Sequence, residues 1–460
     1  MTEVKQKKKV DMLSGPLFKK IVLFSIPLAL SGILQLLFNA ADQIVVGQFA
    51  GTESLAAVGS TASLINLIVN LFIGLSVGSN VLIAKSIGEK NYDRAERAVH
   101  TGILVGFVSG IFVLIVGQVF SRTFLELMKN DVDVIDKATL YLRIYFLGSP
   151  AMLVYNFGAS ALRAKGDTKR PLIYLTISGV ANVILNLVFV IAFNMDVAGV
   201  ALATIISQYV SATLVVISLF REKDFTKLSL KKLRFYKSEL LETIRIGIPA
   251  GLASSMFAIS NVIIQSSLNS LGKIAMAGHT AALGLSGFIF ASMDAISQAA
   301  VTFVGQNYGA KQFGRIKKIT AICTVSAFVT GLAIGLAFVL FARPLASLYS
   351  NDEEVIKCSI TLMKILMPFM CLGGLMNVFN SSLRGIGYSS VPTIISLVCV
   401  CVTRIIWVFT VFRAVRTLKI LYIVQPISWA LASLVGFIVY AVLIKVVQKR
   451  FESSEDIKTE

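Results

Sequence analysis

The chain has 460 residues, of which 56% are hydrophobic and only 15% charged, and its mean hydropathy is +0.79. An ordinary soluble domain, about a quarter charged, is excluded, as are low-complexity, coiled-coil and zinc-module classes, since no Pro/Gly-rich tract, heptad array or Cys/His cluster occurs. The net charge of +18 lies in short segments between apolar runs and is not interleaved with aromatic residues, which points to cytoplasmic loops of a membrane protein rather than to nucleic-acid binding.

The apolar runs are about 20 residues long and do not alternate strictly, so helices rather than barrel strands are expected. They fall near 21–46, 57–84, 99–120, 139–162, 171–193, 198–219, 246–269, 278–306, 319–342, 359–382, 391–412 and 420–444. The prediction is an all-α polytopic membrane protein of twelve transmembrane helices. The first run, behind "MTEVKQKKKVDMLSGPLFKK", has no small-residue cleavage site and reads as a retained span. With the N-terminus cytoplasmic, 31 of the 43 Lys and Arg fall on the inner side, among them Lys5, Lys7, Lys8 and Lys9, and nine on the outer side, including Lys129. Both termini are therefore expected in the cytoplasm of a plasma-membrane protein. The loop "RAVRTLK" before the last span runs against this count.

The first span carries an acid. Asp42, in "LQLLFNAADQIVVGQFAG", has no basic residue within twenty positions. A carboxylate at a helix centre costs roughly 2.5–3.5 kcal/mol on insertion scales, so it demands a role. Ser31, Gln35, Asn39 and Asp42 are spaced 4, 4 and 3 and share one helical face. Ser63, Asn66 and Asn70 form a similar stripe in span 2, Ser178, Asn182 and Asn186 one in span 5, and Thr204, Ser207 and Gln208 one in span 6. Together they predict a hydrated polar pocket.

The hydrophilic stretch 221–245 divides the spans six and six. A shift of 221 pairs "GEKNYDRA" with "GAKQFGRI" and "NFGASALRAKGDTKRP" with "NVFNSSLRGIGYSSVP". A shift of 222 pairs Pro27 with Pro249 and Asn39 with Asn261. A near-constant register over four separated segments marks a duplication. The expected organisation is an N-terminal lobe at 1–220, a cytoplasmic linker at 221–245, a C-terminal lobe at 246–445 and a cytoplasmic tail at 446–460. Six spans per half make the lobes parallel repeats about a pseudo-two-fold axis along the membrane normal, with a substrate site between them: a transporter.

These residues resemble the multidrug and toxic compound extrusion (MATE) family. The resemblance rests on "IPLALSGILQLLFNAADQIVVGQFAG", the two matched loops, "LRAKGDTKRP" and "NVILNLVFV", and runs from about Gly15 to Lys449. It implies a secondary antiporter that exports amphipathic organic cations in exchange for inward H⁺ or Na⁺ by alternating access. It also implies that Asp42 is the coupling carboxylate, Na⁺ or a proton being its ligand, with Asn182 as the fifth-span asparagine. Asn186 stands where many members have a second aspartate; Tyr141 and Thr204 are placed by spacing alone.

For the substrate cavity we expect Gln35, Asn39, Asn66, Asn261, Asp294 and Gln298. Asp294 either attracts cationic cargo or pairs with Arg404 in span 11. No acid stands at position 264, where the repeat would place a second Asp42. The matched loops read as cytoplasmic turns in which Gly permits the break and Arg faces lipid headgroups. Arg143, Lys364 and Lys85 read as snorkelling residues and His279 as a polar interface residue. The five cysteines read as free buried thiols. A lipid-linked oligosaccharide flippase is the competing reading, and it would want a more basic cavity. No HExxH, GxSxG or paired-Asp motif supports an enzyme and no filter loop supports a channel. The expected protein is a monomer in lipid with no cofactor beyond its coupling ion.

Overall fold

The computed structural model describes residues 10–128 and 132–459. Lys5, Lys7, Lys8, Lys9 and Lys129, which entered the charge count, lie outside the described residues. All regular structure among the described residues is helical. The first half comprises α1 (Leu17–Val45), α2 (Thr52–Gly88), α3 (Tyr92–Leu127), α4 (Val132–Leu147), α5 (Ser149–Ala164), α6 (Lys169–Leu187) and α7 (Asp196–Phe220). The second comprises α8 (Lys237–Asn269), α9 (Lys273–Gly309), α10 (Phe313–Leu340), α11 (Ala342–Ser347), α12 (Glu353–Leu366), α13 (Met370–Gly385), α14 (Ser390–Ser396), α15 (Thr403–Trp407) and α16 (Leu418–Thr459).

Eleven helical stretches among the described residues are long and apolar enough to cross a membrane. The remaining expected crossing, 139–162, is split: α4 and α5 are 16 residues each and meet at Gly148, where Pro150 opens the new helix. Proline is at home in a first turn because its missing N–H has no intrahelical partner there. The matching crossing of the second half bends at Met367–Phe369, a 3₁₀ turn around Pro368 between α12 and α13. Residues 237–245, expected as linker, are the start of α8, and α16 runs on through the expected tail.

The duplication extends to single backbone angles. Gly51 and Gly272 have φ of 85° and 95°, and Gly166 and Gly387 have 93° and 90°. In the matched loops Lys90 and Lys311, not the glycines, take the left-handed conformation, both at φ 56°. Gly88 and Gly309 instead end their helices. Thus the expectation that Gly makes this break is corrected: two lysines bear the strain that residues with a Cβ meet at positive φ.

Two compact units emerge, Met1–Asp11 with Leu30–Ser255 and Met12–Ala29 with Met256–Glu460. The first helix of each half is thus divided, α1 after Ala29 and α8 after Ser255, close to the internal prolines Pro27 and Pro249.

In the first unit the early part of α8 meets α2 through two GxxxG pairs. A Cβ on Gly74 would stand 2.2 Å from the Gly251 nitrogen, and one on Gly78 2.3 Å from the Thr243 carbonyl. Small residues at this spacing let helix backbones touch in a membrane, where apolar burial between helices gives little drive. Ahead of this contact, Glu242 pairs with Lys85 (3.1 Å) and with Arg94, and Glu239 with Arg97 (2.7 Å). Lys85 and Arg94 are thereby ion-paired to α8 rather than spread toward headgroups.

In the second unit the early part of α1 packs Phe24 edge-on against Phe303 at 5.5 Å. Arg315, the repeat partner of Arg94, donates to the carbonyls of Met12, Ser14 and Gly15 at 3.1–3.4 Å. Both matched loops therefore grip the entry to a first helix.

Candidate functional site

Asp42 lies near the end of α1, one turn before a π turn at Val46–Ala50. Asn182 and Asn186 lie a turn apart on α6, which itself passes into a π turn at Val188–Ala192. π turns often mark functional sites because the extra residue re-aims the side chains beyond them. The amide of Asn186 donates from Nδ2 to Asp42 Oδ1 and to Asn182 Oδ1 (3.3 Å). Asn182 Nδ2 reaches Thr204 Oγ1 at 3.5 Å, and that hydroxyl donates back to Val200 O at 2.9 Å.

Asp42 is half-buried, whereas Asn182 and Asn186 are buried. Asn186 Oδ1 is sealed from solvent and has no hydrogen-bond partner among the described residues. No Lys or Arg pairs with Asp42 among them.

Tyr141 is buried within electrostatic reach of Asp42 and stacks on Tyr145 at 6.1 Å. Tyr145, not singled out from the sequence, also feels the Asp42 charge. The structure thus brings Asp42, Asn182, Asn186, Thr204 and Tyr141 into one cluster. Gln35, Asn39 and Asn66 are exposed and stand outside its hydrogen-bond chain.

The second unit holds its polar residues differently. Asp294 accepts from Gln298 Nε2 at 2.6 Å and interacts electrostatically with Arg384. Arg404 donates from Nε to Ser428 Oγ and from Nη1 to Asn261 Oδ1, both at 3.2 Å. The Arg404 partners are therefore neutral and on α16 and α8, and the acid's partners are elsewhere. Asn261, expected in the cavity, is exposed and serves as a ligand of Arg404. The signal was present in the sequence: a shift of 222 sets Arg404 opposite Asn182, and one of 221 sets Ser428 opposite Ser207. His279 bonds Tyr422 Oη at 2.6 Å, and all five cysteines are free.

The profile of the MatE family matches residues 27–188 and 249–410. The chain is 27% identical to Probable multidrug resistance protein YoeA of Bacillus subtilis (strain 168), over 83% of this chain and 84% of that one. It is 22% identical to Multidrug export protein MepA of Staphylococcus aureus (strain MSSA476), covering 83% and 85%. To a FAD transporter of Shewanella oneidensis it is 28% identical, covering 75% and 77%. A solved structure described as the outward-facing conformation of a multidrug resistance MATE family transporter has the same fold. It superposes with a TM-score of 0.90 at 24% identity, over 97% of this chain and all of that one. The two profile matches begin at 27 and 249, the same 222-residue register that runs through the duplicated helices, and by that double match the chain belongs to the MatE family.

Proposed function

We propose that this protein is a secondary active antiporter of the plasma membrane, not an enzyme, which exports amphipathic organic cations in exchange for inward H⁺ or Na⁺ by alternating access. The observation that carries the reading is the setting of Asp42: an acid within a span, hydrogen-bonded by a neutral amide, beside a buried Asn186 oxygen with no hydrogen-bond partner among the described residues. A carboxylate, two amide oxygens and a hydroxyl are the hard donors that a Na⁺ ion takes. The same carboxylate, alternately wet and dry, takes up and releases a proton, because desolvation favours the neutral acid and hydration the anion. One such charge moved inward is worth about 2.3 kcal/mol per 100 mV, enough for modest accumulation of cargo outside.

In this scheme Asp42 carries the exchanged cation, with Asn182, Asn186, Thr204 and Tyr141 shaping its site. Gln35, Asn39 and Asn66 face the water that reaches it, and Asp294 with Gln298 draws cationic cargo. Both termini are cytoplasmic and the working form is a monomer in lipid, without a cofactor. The relatives' names, multidrug exporters and a FAD transporter, support transport as the activity and leave its cargo range broad.

The test is ethidium efflux from intact vesicles and uptake into inverted ones, with pH and Na⁺ gradients imposed one at a time. Efflux that follows one gradient in wild type and vanishes in Asp42→Asn is the expected result. Efflux indifferent to both gradients would overturn antiport.

A further inference from the structure

Arg404 is an interior charge that the coupling scheme does not use. It sits on α15, a single helical turn held between π turns at Leu397–Val402 and Val408–Phe412, and it is only 2% exposed. A guanidinium has five N–H donors. Here Nε is taken by Ser428 and one hydrogen of Nη1 by Asn261, and Nη2 makes no hydrogen bond among the described residues.

Both acceptors are neutral. Phe257 and Trp429 lie 5.9 Å from the guanidinium carbon, where their faces attract a cation without neutralising it. The nearby Cys401 is a free thiol, and Asp294 accepts from Gln298 and lies within electrostatic reach of Arg384. With no counter-charge on it among the described residues, this buried full charge with spare donors is costly to hold, and an oxyanion presented to a guanidinium relieves that cost through paired, charge-assisted hydrogen bonds. There is a way in: Asn261 is exposed, and Phe257 and Trp429 are half-buried.

We propose that Arg404, with Asn261 and the rings of Phe257 and Trp429, binds the oxyanion group (a carboxylate or a phosphate) of an aromatic molecule. Calling that molecule cargo rests on the transport reading; the binding does not. The site would admit zwitterionic and anionic aromatics beside plain cations, because the fixed positive charge neutralises the acid while the rings receive the flat body.

The experiment uses the full chain in lipid nanodiscs at equilibrium, without any gradient. The chain has two tryptophans, so Trp407→Phe leaves Trp429 as the only indole reporter. Benzoate and phenyl phosphate are expected to quench it saturably, and the neutral isostere benzamide is not. Arg404→Gln should weaken benzoate by about tenfold or more, the loss of roughly 1.4 kcal/mol or more, and Arg404→Lys by less. Asn261→Asp supplies a carboxylate beside the guanidinium and should abolish benzoate binding with the fold intact, which keeps the test decisive if Arg404→Gln does not fold. Asp42→Asn should bind as wild type does, so failure of the coupling scheme leaves this result standing. Equal binding of benzamide and benzoate, or full benzoate binding in Asn261→Asp, overturns the site. Inorganic phosphate or acetate competing as well as their aromatic counterparts overturns the aromatic half of the proposal.

Discussion

The two units descend from one repeat and have diverged where it matters. At the register of 222, Asp42 faces Ile264, Asn186 faces Val408, and Asn182 faces Arg404. In the first unit the three polar residues hydrogen-bond in a chain. In the second, Ile264 and Val408 are buried in an apolar core with Leu268, Leu285, Leu421 and Tyr422, and a charge of the opposite sign, Arg404, stands on another helix at the place of Asn182. Asn39 and Asn261 are kept at the same place and both are exposed, yet Asn261 accepts a hydrogen bond from the buried Arg404. One copy of the polar seam thus carries an acid, Asp42, and the other a guanidinium, Arg404. Of these two groups a carboxyl can take up and release a proton whereas a guanidinium keeps its charge, and under the proposed antiport it is Asp42 that exchanges the ion.

The largest expected effect comes from erasing that asymmetry. Asp42→Asn should fold and reach the membrane but lose gradient-driven ethidium efflux down to the level of empty vesicles. Ile264→Asn, the matching change in the second copy, should leave the ion dependence in place. If Ile264→Asn and Asp42→Asn lose coupling alike, the functional contrast between the units is wrong.

A second contrast is steric. The first unit joins α2 to α8 by Gly74, Gly78, Gly247 and Gly251, whereas the repeat places Ala295, Ala299, Ser25 and Ala29 at the corresponding positions. A Cβ on Gly251 would sit 2.2 Å from the Leu71 carbonyl oxygen, a backbone atom that cannot swing aside. Gly251→Ala should therefore cost about 1–3 kcal/mol through overpacking. Ala29→Gly should cost only about 1 kcal/mol, the ordinary helix penalty of glycine. Thermal unfolding of the two variants in detergent should rank them in that order.

A smaller effect separates the two asparagines. Asn261→Ala removes one of the hydrogen bonds to a buried guanidinium, worth about 1.5–3 kcal/mol for a charged partner. Asn39→Ala touches an exposed side chain and should stay within about 0.5 kcal/mol of wild type. Equal losses in denaturant unfolding would mean that Asn261 does not support Arg404.

Much of this was legible in the sequence because membrane helices announce themselves by length and a duplication by register. The polar stripes of α1 and α6 follow from a 3.6-residue period, and the structure does join Asp42 to Asn186 across them. What escaped lies in places where that period breaks. Hydropathy runs smoothly across Gly148, so it hides the split between α4 and α5. π turns at 46–50, 188–192, 397–402 and 408–412 have no composition of their own, and an extra residue in a turn shifts the helical period on which a stripe is counted. Lys85 and Arg94 looked like snorkelling cations because their partner Glu242 is almost 150 residues or more away in the chain, a pairing no local pattern reveals. Division of α1 and α8 between units is likewise a property of packing, for which Pro27 and Pro249 were the sole local hint.

The mildest contrast lies in the loop that follows the fourth span and its repeat. "RAKGDTKRP" is charged, whereas "RGIGYSSVP" has Ile386 and Tyr388 in place of Lys165 and Asp167. In the first unit Lys165 is buried against Glu222 (2.8 Å), Thr226 (2.7 Å) and Asp224 (3.6 Å), and Arg170 pairs with both Asp167 and Glu222. Ile386 is 1% exposed and fills its place with hydrocarbon. Burial by itself would raise the Glu222 pKa, but hydrogen bonds and charge from Lys165 and Arg170 outweigh it and hold the carboxyl below its ordinary value. A carboxyl lowered in the folded state binds fewer protons there than in the unfolded chain. Its contribution to stability is therefore complete above the ordinary carboxylate range and is lost as the pH falls through the folded value. Unfolding temperature should drop as the pH falls from about 5 to about 3, by a margin that shrinks in Glu222→Gln. Glu452→Gln, on the exposed end of α16, controls for the loss of one carboxyl elsewhere, and wild type sets the reference slope. If Glu222→Gln keeps that slope too, the buried lysine is held by Thr226 and Asp224, and the charged loop owes its order to hydrogen bonds rather than to the Glu222 pair.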